Sequence, residues 1–141
     1  MSGVVAILIA TVLGALIGAE REWRRHPGGL RSCSLVSAAA CGFSRIGILY
    51  GGGSPGATLG AIATGVGFLG AGVIMHQRTH VRGLSTAATF WSVAAIGAAC
   101  GVADYPLGVS LALVVFLAHV VLRPLSTWIE RKAPPEGPGP Q

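Results

Sequence analysis

From Val4 to Ala19 the chain carries no charged side chain, and the same holds for Pro55 to Met75, Leu84 to Val102 and Pro106 to Leu122. A fifth stretch, Ser32 to Tyr50, is interrupted by Arg45 alone. A bilayer core about 30 Å thick is crossed by roughly 20 apolar residues in a helix. Lipid leaves backbone groups unsatisfied in any open, non-helical alternative. The five stretches therefore predict five transmembrane helices, the first and last of them short. Composition agrees, because 52% of the residues are hydrophobic and only 11% are charged, where soluble domains carry about a quarter charged. The predicted fold class is all-α, a polytopic bundle of about five transmembrane helices over residues 1–124. Residues 125–141 read as a cytoplasmic amphipathic turn and a disordered tail, since the run from Ala133 to Pro140 is too rich in Pro and Gly to hold a helix.

Turn residues agree with these limits. Pro27-Gly28-Gly29 breaks the chain before the second span, and Ser54-Pro55 reads as an N-cap followed by the first residue of the third helix. Orientation follows from arginine and lysine, which stay on the cytoplasmic side near span ends. Arg21, Arg24, Arg25 and Arg31 follow the first span, Arg78 and Arg82 follow the third, and Arg123, Arg131 and Lys132 follow the fifth. The linkers Gly51 to Ser54 and Ala103 to Tyr105 contain neither residue type. This predicts the N-terminus outside and the C-terminus in the cytoplasm. The first apolar run precedes its arginines, the reverse of a secretory signal, so it is expected to be retained. The net charge of +5 is explained by topology and anionic headgroups, and no nucleic-acid partner is expected.

The 22 glycines carry the packing argument, because small residues let transmembrane helices approach closely where lipid removes most of the hydrophobic drive. Gly14 and Gly18 form GxxxG in the first helix, and Gly97 and Gly101 form it in the fourth. The third helix carries Gly60, Gly65, Gly67, Gly70 and Gly72. That composition suits a helix at the centre of the bundle, or a glycine-rich unwound segment lining a cavity. Faces left over after internal packing make a second copy of the chain a candidate partner, and Gly14 and Gly97 are the positions to test.

Glu20 and Glu22 end the first helix, where the negative pole of the dipole disfavours carboxylates without compensation. A boundary network of Glu20 and Glu22 with Arg31 and Arg82 would supply it; separate contacts with headgroups are the alternative. Arg45 lies near the far end of the second helix, either as a functional intramembrane charge or as a side chain reaching the interface. Cys33, Cys41 and Cys100 lack metal or redox spacing and read as packing residues. His76 and His80 have no carboxylate nearby in sequence, and His119 is expected to face a neighbouring helix. No catalytic, cofactor or metal residues are assigned. Ser85, Thr86 and Thr89 have no adjacent base, so they read as cap and interhelical hydrogen bonds and the chain is not expected to be an enzyme.

Gly18 to Glu22 (GAERE), Gly28 to Arg31 (GGLR), Gly65 to Ile74 (GVGFLGAGVI) and Val81 to Trp91 (VRGLSTAATFW) together resemble the MgtC/SapB membrane proteins over roughly residues 10 to 103. The resemblance implies a bacterial inner-membrane protein associated with growth in low magnesium and virulence. It also makes the F-type ATP synthase, or another membrane transporter, a candidate partner alongside the lipid bilayer. Thr86 and Trp91, inside the last motif, join the functional candidates on this ground. Longer members add a C-terminal ACT-like domain, whereas only the Pro/Gly tail follows Lys132 here. Many members also begin the third helix with Asp-Pro-x-Arg and place a Gln four residues after that Arg; these positions are Ser54, Ala57 and Ala61. Arg45 is a candidate for partly replacing the missing arginine. Two functions follow as expectations: a regulator of membrane transport or ATPase activity linked to magnesium homeostasis, or a direct transporter or channel subunit for Mg²⁺ or another ion. Mg²⁺ sites gather carboxylates and retained water, which the spans lack, so the regulator is preferred.

Overall fold

The structure is a computed structural model that describes residues 2–51, 54–77 and 80–132. Arg78, the side chains of His76 and His80, and the Pro/Gly tail lie outside the described residues.

Among the described residues, five helices are long and apolar enough to cross a membrane. They are α1 (Gly3–Trp23), α2 (Leu30–Tyr50), α3 (Pro55–Val73), α4 (Leu84–Gly101) and a fifth rod that begins as α5 (Tyr105–Leu117). At about 1.5 Å per residue, the 18-residue α4 rises about 27 Å and the 21-residue α1 and α2 about 32 Å. These lengths match the hydrocarbon thickness, and the chain is a multi-pass protein of the lipid bilayer. Ser54 caps α3 by accepting the Ala57 N–H at 3.3 Å, with Pro55 in the first turn as predicted. Asp104 does the same for α5, accepting the Leu107 N–H at 3.1 Å. One short antiparallel ladder, β1 (Met75–Gln77) with β2 (His80–Arg82), joins α3 to α4; the class remains all-α.

The fifth rod departs from expectation at its end. A π turn over Ala118–Leu122 follows α5, and α6 (Arg123–Lys132) continues the helix past Pro124. The predicted turn beginning at residue 125 is therefore helical through Lys132. Proline removes an N–H and crowds the carbonyl four residues back. Here it sits where the widened π turn has already displaced the regular ladder, so the helix survives.

The centre of the bundle also differs from the sequence reading. α4, not the glycine-rich α3, is central: 61% of its span is buried, against 28% for α1 and α2 and 11% for α3. It touches α1, α2, α3 and α5. Glycine count misleads here because small side chains permit close approach only where a neighbour arrives. Among the described residues, Gly65, Gly67 and Gly72 have nothing within 4 Å of where a Cβ would stand, and Gly70 meets only Ala87. The two GxxxG pairs behave differently, since both press on α2. A Cβ at Gly14 would lie 2.7 Å from the Cys33 carbonyl oxygen, and one at Gly97 would collide with the Ser37 backbone. The small faces of α1 and α4 are thus occupied within the chain, with dispersion between close backbones holding them. Buried Cys33, Cys41 and Cys100 fill this core as small side chains.

Candidate functional site

The small-residue stripe of α1 leads directly to the site. Ala6, Ala10, Gly14, Ile17, Gly18 and Arg21 are the buried positions of that helix, and their three- and four-residue spacing places them on one face. That face carries Arg21 into the protein, with 1% of its surface exposed.

Its guanidinium meets four acceptors. Nε donates to the Gly28 carbonyl at 3.2 Å and Nη1 to Thr89 Oγ1 at 2.9 Å. Nη2 donates to the Pro27 carbonyl at 2.7 Å and to Thr86 Oγ1 at 2.8 Å. All four are neutral dipoles, so the buried charge is compensated by hydrogen bonds rather than by a carboxylate, and by the negative pole at the end of α1. The planar fork suits this set because its N–H bonds diverge toward two chain segments at once. Gly28 makes the turn possible: its φ is +72°, and Cβ at that position would lie 2.8 Å from both Phe90 Cε1 and Thr86 Cγ2. The same Gly28 carbonyl also accepts from the Cys33 thiol at 3.2 Å.

Thr89 extends the cluster to the fifth rod. Its hydroxyl donates to the Ser85 carbonyl at 2.8 Å and stands 3.1 Å from His119 Nε2. A hydroxyl has one proton to give. When that proton goes to the Ser85 carbonyl, Thr89 accepts from both Arg21 and His119, and the matching His119 tautomer has its proton on Nε2 and a lone pair on Nδ1. Nδ1 is buried with no hydrogen-bond partner among the described residues. His119 lines a cavity of about 270 Å³ that also includes Glu20, Arg24, His26, Ser85 and Arg123. His26, in the loop after α1, has its pKa pushed below the ordinary imidazole value by desolvation and then by nearby Arg123 and Arg21.

The predicted boundary network forms differently. Glu20 pairs with Arg24, one helical turn on, rather than with Arg31 or Arg82. Oε1 of Glu20 is buried in that ion pair without hydrogen-bond geometry. Glu22 turns outward and accepts the Leu30 N–H at 2.8 Å, capping α2 where Gly29 has no side chain to do so. A carboxylate is favourable at that N-terminus, which resolves its placement at the end of α1. Arg31 and Arg82 are exposed. Helical spacing explains the correction, because position 24 is the natural partner of position 20.

The remaining candidates are scattered. Thr86 belongs to the arginine cage, while Trp91 is 57% exposed and borders a small apolar groove with Leu59 and Ile62 of α3. Gly65 edges a larger apolar groove between α2 and α3, whereas Gly67 and Gly72 face open space. Arg45 is half-buried at the opposite end of the bundle, its Nε 3.0 Å from where a Cβ on Gly3 would stand. Among the described residues no three His, Cys, Asp or Glu side chains converge as a metal site. Arg21, Arg24 and His119 are the functional positions the sequence reading did not select. The stripe from Ala6 to Gly18, extended by one turn, is the signal that marks Arg21.

The chain is similar to known proteins over most of its length. The MgtC family model matches residues 7–128. Protein MgtC of Salmonella typhimurium is 44% identical over 117 residues, covering 83% of this chain and 51% of that protein. Protein MgtC of Brucella abortus is 39% identical, covering 88% and 52%, and an uncharacterized protein of Synechocystis is 39% identical, covering 89% and 54%. The chain thus spans about half the length of these curated relatives. No solved structure matches. With five membrane-spanning helices and a match covering nearly the whole bundle, the chain is a multi-pass inner-membrane protein that belongs to the MgtC family.

Proposed function

We propose that this protein regulates a larger membrane transporter or ATPase, in a role linked to magnesium homeostasis, growth in low magnesium and virulence. The observation that supports this reading is the central helix α4. Its inward side chains are small and apolar over most of the span, and its buried hydroxyls, Thr86 and Thr89, are committed to the cage around Arg21. A path for Mg²⁺ would need carboxylates or ordered carbonyls along its length. The Glu20 and Glu22 carboxylates sit together at one end. The Thr86 and Thr89 hydroxyls are both taken up by the Arg21 guanidinium, which favours a non-enzymatic role.

The arginine-bearing end is proposed to face the cytoplasm, with the N-terminus outside. The F-type ATP synthase is a candidate partner through the family resemblance. A second copy of the chain is a further candidate, and the unoccupied small-residue face of α3 is the surface it would use, since those of α1 and α4 are filled.

Purified full-length protein in liposomes, under a Mg²⁺ gradient, tests the proposal. No flux above protein-free vesicles, together with capture of a defined transporter or ATPase by crosslinking in native membranes, is expected. Saturable Mg²⁺ flux would overturn it in favour of direct transport.

A further inference from the structure

Two buried side-chain atoms beside the cavity lined by His119 have no hydrogen-bond partner among the described residues. Glu20 Oε1 makes its ion pair without a hydrogen bond, and its side chain is 10% exposed. His119 Nδ1 presents a lone pair in the tautomer that donates to Thr89. Buried acceptors in such a position call for a donor. Around them stand groups of opposite preference: Arg24, Arg123 and His26 are cations or N–H donors, and Ser85 adds a hydroxyl. The volume of about 270 Å³ is several times the ~30 Å³ share of one water molecule, so a group of several heavy atoms fits.

Place completes the argument. The cavity lies between the last turn of α1, the first turn of α4 and the π turn, at the arginine-bearing limit of the spans, where lipid headgroups reside. π turns inside α-helices mark functional positions often, and this one sets His119 and Arg123 against the ends of α1 and α4. A ligand that satisfies both halves must be an anion and a hydrogen-bond donor at once.

We propose that this cavity binds a phosphate ester bearing a primary ammonium, the chemistry of an ethanolamine headgroup. The phosphate is held by Arg123 and Arg24, with help from His26 and Ser85. The ammonium donates to Glu20 Oε1 and His119 Nδ1. A choline headgroup offers the same phosphate and charge but no N–H, and a glycerol headgroup offers the phosphate without the cation. Headgroup chemistry therefore separates the two halves of the site.

The test is retention of lipid by the detergent-purified full chain, by native mass spectrometry, after exposure to equimolar ethanolamine, choline and glycerol phospholipids of identical acyl chains. The ethanolamine lipid should be retained about tenfold over the other two, the worth of a charge-assisted hydrogen bond. Glu20→Gln and His119→Phe should remove its advantage over choline while leaving phosphate affinity, and Arg123→Gln, at an exposed position, should weaken all three. Soluble phosphoethanolamine that displaces the lipid identifies a free ester as the natural source; failure to displace identifies the membrane. Equal retention of the three lipids, or an undiminished ethanolamine preference in both Glu20→Gln and His119→Phe, would overturn the assignment.

Discussion

Arg21 and Thr89 stand 68 positions apart in the chain and meet at 2.9 Å, with the Arg21 side chain almost wholly enclosed. That bond joins the end of α1 to the central helix, and through Thr89 to His119 on the fifth rod. Substituting Arg21→Lys keeps the charge but supplies one compact ammonium to acceptors arranged for a fork. We expect it to lower stability by about 2 kcal/mol, and Arg21→Met, which leaves two hydroxyls and two carbonyls short of a donor, by about 3 kcal/mol. Unfolding in mixed micelles followed by circular dichroism measures both.

Gly28→Ala meets two obstacles, a left-handed backbone and the Phe90 and Thr86 side chains at 2.8 Å. The same unfolding measurement should register a loss of about 2–3 kcal/mol. Gly42→Ala is the control, being helical with nothing within 4 Å of its Cβ. It should be neutral or stabilising by about 0.5–1 kcal/mol.

The two classes of glycine separate folding from association. Gly97→Leu drives a side chain into the Ser37 backbone and should abolish the folded bundle, seen as loss of monodisperse protein in detergent. Gly67→Leu projects into open space and should leave the fold intact while weakening self-association by tenfold or more, read by energy transfer between labelled copies in vesicles. Unchanged transfer for Gly67→Leu would remove α3 as the contact face.

His26 gives a pH dependence with a definite sign. Its folded-state pKa is lowered from the ordinary 6.5, by desolvation first and then by Arg123. As pH falls below 6.5 the unfolded chain takes up the proton before the folded one, so stability is lost until the folded-state pKa is passed. The difference between the wild-type and His26→Gln stability curves isolates this loss. It should be absent above pH 7 and appear as pH drops below 6.5.

The helices were legible in the sequence because lipid demands uninterrupted apolar length, and four of the five charge-free or nearly charge-free runs reappear as α1 to α4 within a few residues. The fifth was legible only to Leu122, since Pro124 reads as a stop unless a π turn precedes it. The order of packing was not legible from glycine content: Gly65, Gly67 and Gly72 outnumber the Gly97 and Gly101 pair, yet only the latter meets a backbone. At the site, the carboxylates drew attention because they are unusual at a helix end. Their actual partners, Arg24 and the Leu30 N–H, are local. Arg21 was hidden between them because its significance lies in Thr86 and Thr89, which only the folded chain brings near.

A double-mutant cycle on Arg21→Met and Thr89→Val tests most directly whether this cage holds the arginine-bearing end together. The account predicts a coupling energy of at least about 1 kcal/mol in micelle unfolding, the double variant losing less than the sum of the singles. Additive losses would contradict it.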